Sequence, residues 1–235
     1  MTTFPVSVPD YTDPHWSSRS IGLHRTLHRL ITLILRSGVV SVRVGGLDEI
    51  PERGPAVLMS NHESNVDPFL IGYVLSRPMW IPGKASLFGV PLLGWMLRNI
   101  GSYPVDREAA DVGSLRTSIE VLRSGRLLTV FPEARRSRTG DILPFSTTLV
   151  KLAIRQRVPI VPVGLAGTAD LLPPGRVVPR LPAALGSHFG HPVDVVARYG
   201  TRPSEAQIRD AAEELRGLVV EERERARTLI RSSGA

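Results

Sequence analysis

Apolar and polar positions fall into blocks along this chain, and the blocks change period. Residues Ser20 to Ser37 place Ile21, Leu27, Leu30, Ile31, Ile34 and Leu35 on one side of a helix, with Arg25, His28, Arg29 and Arg36 punctuating the other. That is a basic amphipathic helix, a pattern that suits packing on a core and docking on a membrane surface equally well. A β-branched run, Val39 to Val44, follows, then a Gly/Pro turn, the apolar run Ala56 to Met59 and a helix from Pro68 to Leu75. Later apolar runs at Leu127 to Phe131 and Ile160 to Val163 are separated by helical stretches Val112 to Arg123 and Thr147 to Arg155. Strands alternating with helices predict an α/β fold with a mostly parallel central sheet flanked by helices, preceded by the amphipathic helical extension. The division expected is an extension over residues 1–40 and a main domain over residues 41–235. The last segment, Ser204 to Arg231, reads as a long charged helix with a solvated face, from Glu205 and Arg209 and from Glu221 and Arg225 at i,i+4 spacing.

One stretch departs from the alternation. Ala85 to Leu97 has no charge, contains Phe88, Trp95 and Met96, and is broken by Gly89, Pro91 and Gly94. It is too short to span a bilayer, so it is either a buried core segment or a greasy surface facing lipid. No apolar run approaches the ~18–20 residues of a spanning helix. Met1 to His15 holds Pro5, Pro9, Pro14, Asp10 and Asp13 without a Lys or Arg, the wrong order for a secretory signal peptide.

Composition narrows the chemistry. The 235 residues include no cysteine, which removes thiol catalysis, Cys-based zinc sites and disulfides. A formal net charge of +7 and a pI near 10.6 favour phosphate-bearing partners, whether nucleic acid, anionic lipid or a small ligand. Few aromatics are available to stack bases and no nucleic-acid motif is present, so a nucleic-acid partner is not expected.

The strongest local signal is Asn61-His62-Glu63-Ser64-Asn65-Val66-Asp67-Pro68-Phe69, between an apolar strand and a helix. A strand end is where α/β folds place ligands. His62 can take a proton from a hydroxyl, and the carboxylate of Asp67 can fix its tautomer and stabilise its charged form. Asp67 before Pro68 also looks like a helix N-cap and first helical residue. His62-Glu63 begins like a zinc-protease H-E-x-x-H, but Val66 stands where the second ligand would be. His24 and His28 share a helix face with no carboxylate ligand nearby and read as surface residues. No G-x-S-x-G elbow, P-loop or G-x-G-x-x-G occurs. A second cluster, Phe131-Pro132-Glu133-Ala134-Arg135-Arg136-Ser137-Arg138, crowds arginines beside one glutamate at another strand end, an arrangement suited to an anion.

These segments together resemble the glycerophosphate and lysophosphatidate acyltransferase family, whose four blocks occur here in order. His62 and Asp67 match its N-H-x-x-x-x-D block. Gly101-Ser102-Tyr103-Pro104-Val105-Asp106-Arg107 resembles the second, Phe131-Pro132-Glu133 with Arg136-Ser137 the third, and Val158-Pro159-Ile160-Val161-Pro162-Val163 the fourth. Lys84 falls where the family carries a lysine before an apolar helix. The resemblance implies an O-acyltransferase of phospholipid biosynthesis, with residues 41–235 as the acyltransferase domain. It implies His62 as general base and Asp67 as its orienting carboxylate. Arg107, Arg136 and Lys84 would hold an acceptor phosphate, Glu133 would fix the arginine geometry, and Arg135 would be an extra contact. The implied donor is acyl-CoA or acyl carrier protein, and the implied acceptor is a lysophospholipid, 1-acyl-glycerol-3-phosphate above all, giving phosphatidic acid. The implied place is the anionic cytoplasmic face of the cell membrane, as a peripheral protein, with no metal or cofactor. Ala134 and Arg135 replace the family's Gly-Thr, and Phe145-Ser146-Thr147-Thr148 replaces a basic, glycine-containing stretch. Those departures leave room for another acceptor, such as a lyso-ornithine lipid or a glycolipid. A non-catalytic lipid- or anion-binding module would need neither His62 nor Asp67.

Overall fold

A computed structural model describes residues 18–106, 112–133, 141–176 and 178–232. The elements follow in chain order as α1 (Ser18–Arg36), β1 (Val40–Gly45), β2 (Ala56–Ser60), α2 (Asp67–Val74), β3 (Met79–Lys84), α3 (Pro91–Asn99) and β4 (Ser102–Val105). They continue with α4 (Val112–Arg123), β5 (Leu127–Val130), α5 (Thr147–Gln156), β6 (Ile160–Ala166), α6 (Thr168–Leu171), β7 (Ala183–Phe189), α7 (Val195–Tyr199) and α8 (Glu205–Arg231). The seven strands form one sheet in the order β1-β7-β6-β2-β5-β3-β4. Every pairing is parallel except β6 with β7, so the expected mostly parallel α/β sheet is present.

The central strand β2 sits between β5 and β6, with Leu58 level with Thr129 on one side and Val161 on the other. All five of its residues are buried. A strand covered on both faces reads as a continuous apolar run, which is why Ala56 to Met59 stood out in the sequence. Successive side chains then divide between the two faces. Val57 and Met59 join a core built with α4, α5 and α8. Ala56 and Leu58 join a second core with Leu70, Ile71 and Val74 of α2. Each such aliphatic side chain contributes about 1.5–3 kcal/mol by burial, so the two cores pin the strand ends that carry the site.

Several expectations are corrected. The strands β3, β4 and β7 lay hidden in sequence, because Pro82, Pro104 and Gly186 interrupt their apolar pattern. Ala85 to Leu97 is not a buried core segment. It forms a 3-10 turn and α3 in which Leu92 is 76% and Trp95 51% exposed, while Phe88 is turned inward. His24 and His28 are not free surface residues. Both are half-buried, and the His28 ring stacks on Tyr73 of α2 at 4.7 Å between centroids. The terminal helix α8 also differs from its sequence reading. Ile208, Ala211, Ala212, Leu215, Val219, Glu222, Arg223 and Ala226 form a buried stripe along it, packed over β6 and β7. A capping box between Ser204 and Gln207 starts this helix by satisfying two otherwise unpaired N–H groups.

Candidate active site

Parallel strands β2, β5 and β3 bring their carboxyl ends to one edge of the sheet, and the chain segments leaving that edge carry the predicted chemistry. Asn61 prolongs β2 with its side chain. It donates to the Leu165 carbonyl at 3.0 Å and accepts from the Leu165 N–H at 2.8 Å, copying a strand ladder into the loop. His62 comes next and is 7% exposed. Its Nδ1 lies 2.8 Å from Asp67 Oδ2, and its ring lies flat on Phe131, with centroids 4.1 Å apart and an interplanar angle of 13°.

The surroundings of Asp67 define the tautomer of His62. Oδ2 also accepts the backbone N–H of Glu63 at 2.7 Å and of Ser64 at 2.8 Å, so it already faces two donors. An ionised carboxylate is an acceptor only, hence Nδ1 carries the hydrogen toward it. Nε2 of the neutral ring is left with its lone pair, the form a general base needs. Asp67 is not the N-cap that the Asp-Pro pair suggested. It is the first helical residue, Val66 takes the cap position, and no side chain caps α2. The carboxylate turns backward into the loop instead, closing His62 to Asp67 into a tight ring of hydrogen bonds.

Glu133 ties the second cluster to the first. One of its oxygens accepts the His62 N–H at 2.9 Å, and the other accepts the Leu143 N–H at 2.8 Å. Burial pushes its pKa up, while those two backbone donors and the charge of Arg223 act in the opposite sense. Its described partners are therefore backbone groups on both sides of the loop. Arg107, Arg135 and Arg136 lie outside the described residues. Lys84 is exposed at the end of β3, beside Val105 of β4, and β5 separates its strand from β2.

Sequence reasoning passed over two residues here. Glu63 and Arg223 are both buried, and Arg223 Nη1 meets Glu63 Oε1 at 3.2 Å, where the Asn61 side-chain amide also donates at 3.2 Å. Burial raises the Glu63 pKa, and Arg223 pulls it back down. The available signal was a charge set into the apolar stripe of α8, between Val219 and Ala226.

An open cleft lies between α1 and α2, and His62 does not line it. Its walls include His24, Leu27, Ile31, Phe69 and Tyr73. Burial, assisted by His28, lowers the pKa of His24 to about 4.

A protein-family model described as Acyltransferase matches residues 41–166. The 1-acyl-sn-glycerol-3-phosphate acyltransferase of Saccharomyces cerevisiae is 34% identical over 140 residues, covering 57% of this chain and 46% of that protein. The Salmonella typhimurium protein of the same name is 29% identical over 175 residues, covering 71% of this chain and 66% of that one. The crystal structure of the 1-acyl-sn-glycerophosphate acyltransferase PlsC from Thermotoga maritima superposes with a TM-score of 0.65 at 29% identity, covering 85% of this chain and 78% of that chain. The present chain thus spans less than half the length of the yeast relative.

Proposed function

The chain belongs to the acyltransferase family, and from that premise we propose that it transfers a fatty acyl group from a thioester to the free hydroxyl of 1-acyl-glycerol-3-phosphate, forming phosphatidic acid. The observation that carries this reading is the His62–Asp67 pair, 2.8 Å apart and held in one tautomer at the carboxyl edge of the sheet. His62 Nε2 removes the hydroxyl proton as the oxygen attacks the thioester carbonyl carbon. A tetrahedral intermediate forms, its C–S bond breaks, and the departing thiolate recovers the proton from the imidazolium. The Asp67 carboxylate stabilises that imidazolium between the two steps. Phe131 covers one ring face, keeping water from it and fixing the ring plane. The thioester is carried by coenzyme A or acyl carrier protein. Lys84, with Arg107, Arg135 and Arg136, supplies cations for the acceptor phosphate.

The proposed acceptor is a membrane lipid, and the outer surface of α1 and α3 suits a membrane. Leu33 of α1 is 66% exposed, and Leu30 and Ile34 stand out beside it. Helices α1 and α3 touch, and Leu92 and Trp95 of α3, with Val90 just before it, are also exposed. Arg25, Arg29 and Arg36 are exposed on α1 and complement anionic headgroups. No described helix is long and apolar enough to cross a membrane. On the exposed apolar and basic residues of α1 we assign a peripheral attachment, at the cytoplasmic face of the cell membrane.

The test offers purified protein an acyl-CoA and a panel of lysolipids, with products read by mass spectrometry. Phosphatidic acid is expected, and His62→Ala should lower kcat by at least ~10²-fold with the fold intact by circular dichroism. Near-normal turnover of that variant would overturn the mechanism. Acylation of a lyso-ornithine lipid or glycolipid in place of lysophosphatidate would reassign the acceptor.

A further inference from the structure

The terminal helix α8 lies outside the segment matched by the family model, yet it delivers a charge to the back of the His62 loop. The approach is unusually close. A Cβ on Gly164 of β6 would stand 2.0 Å from the Arg223 backbone nitrogen, and one on Gly186 of β7 would stand 2.5 Å from the Ala226 carbonyl oxygen. Backbone therefore rests on backbone at these two glycines, and Arg223 enters the sheet edge at a fixed height. Its guanidinium ends 3.2 Å from Glu63, both side chains being about 10% exposed.

Glu63 has two functions in the loop. Its backbone N–H donates to Asp67 Oδ2 at 2.7 Å, orienting the carboxylate that faces His62. Its side chain is the anchor for that N–H, gripped by Arg223 from α8 and by Asn61 from the end of β2. The positive charge of Arg223 also favours the ionised form of Glu133, which receives the His62 N–H. A buried ion pair is a poor stabiliser by itself, because desolvation offsets most of the attraction, and apolar side chains of the same volume often serve stability as well. Fixing the register of a loop is its better-attested use.

We propose that Arg223 is a positioning residue of the acyl-transfer site, acting through Glu63 to hold the His62–Asp67 pair in its productive geometry. The inference rests on the catalytic reading of that pair given above. It makes the final helix part of the catalytic apparatus without contact between Arg223 and substrate.

The experiment compares wild type, Arg223→Met, Glu63→Gln, the double variant Glu63→Gln/Arg223→Met and His62→Ala. Acyl-CoA and 1-acyl-glycerol-3-phosphate are the substrates, and rates are normalised to folded protein. Displacing a catalytic group by about 1 Å costs up to ~10²-fold, so Arg223→Met is expected to lower kcat by about 10- to 100-fold with little change in either KM. Glu63→Gln breaks the same pair from the other side and should also lower kcat. The double variant should lose no more kcat than the more impaired single variant, a coupling that independent effects would not produce. Wild-type kcat in Arg223→Met, with only its melting temperature lowered, would overturn the proposal. A double variant whose loss is the product of the two single losses would do the same, since the effect of Arg223 would then not run through Glu63. If Arg223→Met does not fold, Glu63→Gln decides alone: wild-type kcat there refutes the role of the pair. The His62→Ala arm keeps the two readings separate, because its inactivity beside a fully active Arg223→Met leaves acyl transfer standing and removes only the inference about α8.

Discussion

Replacing Asp67 with Asn tests the site more sharply than removing it, because the loop dictates how the amide must sit. In the Ser-His-Asp triad the corresponding amide forces the wrong tautomer on the imidazole and costs about 10⁴-fold. Here the oxygen that faces His62 Nδ1 also faces the N–H groups of Glu63 at 2.7 Å and Ser64 at 2.8 Å. An NH₂ in that place would confront two backbone donors, and leaving such buried donors unpaired costs about 1–3 kcal/mol each. The amide oxygen therefore takes the Oδ2 position, the NH₂ takes the place of Oδ1, and the Nδ1–H tautomer survives. The NH₂ then sits where Oδ1 is buried with no hydrogen-bond partner among the described residues, which costs stability, and the loss to catalysis is that of the charge. A hydrogen bond to a charged group contributes about 1.5–3 kcal/mol against about 0.5–1.5 kcal/mol for a neutral one. The difference of about 1–2 kcal/mol corresponds to a ~5- to 30-fold drop in kcat. Continuous detection of the thiol released from acyl-CoA, at saturating acceptor, measures it directly. A loss near 10⁴-fold would show that the amide flips and that the two backbone donors do not govern its orientation. Wild-type kcat would show that the Asp67 charge takes no part in the reaction.

Further outcomes follow from the same contacts. Asp67→Ala strands both backbone donors and should cost stability as well as activity, by about 2–6 kcal/mol if the two N–H groups find no water, measured by urea denaturation. Gly164→Ala must push α8 away from β6, since its Cβ would meet Arg223 and Glu222 backbone atoms at 2.0 Å; a loss of about 1–3 kcal/mol or more is expected, and an unchanged urea midpoint would contradict the close packing. His24 ionises near 6.5 when unfolded but is lowered to about 4 in the fold, chiefly by burial. The unfolded chain then binds the proton first, so stability falls as pH drops from about 6.5 towards about 4 and levels off below that. His24→Gln should flatten this part of the melting-temperature profile, and an identical profile in the variant would place His24 in water. Leu33→Glu with Trp95→Glu should abolish sedimentation with anionic vesicles while leaving turnover of detergent-dispersed substrate intact; undiminished vesicle binding would move the docking surface elsewhere.

Legibility in the sequence tracked burial geometry. The strands β2, β5 and β6 are central and covered on both faces, so their apolar runs were conspicuous. The strands β3 and β4 lie toward one edge, where Pro82 and Pro104 can be accommodated, and their periodicity is correspondingly broken. The amphipathic pattern of α1 was plain, yet it could not distinguish a core from a membrane. In the structure Ile31 and Leu35 pack on the core, while Leu30, Leu33 and Ile34 are left outward.

The site was legible to the extent that its chemistry is local. His62 and Asp67 are close in sequence, and a single loop brings them together, so spacing alone suggested the pair. Glu133 was noticed for the company of arginines, whereas its described partners are main-chain N–H groups that no sequence pattern displays. Arg223 is the extreme case, since its partner Glu63 lies 160 positions away. Charge runs on a long helix normally signal solvent, and most of α8 obeys that rule. At Arg223 the rule fails: the helix backbone rests on Gly164 of β6, and the side chain is about 10% exposed beside Glu63. A charge placed on the apolar stripe of an otherwise amphipathic helix is therefore a signal of a buried partner elsewhere in the chain. Here that partner is in the loop on which the proposed chemistry depends.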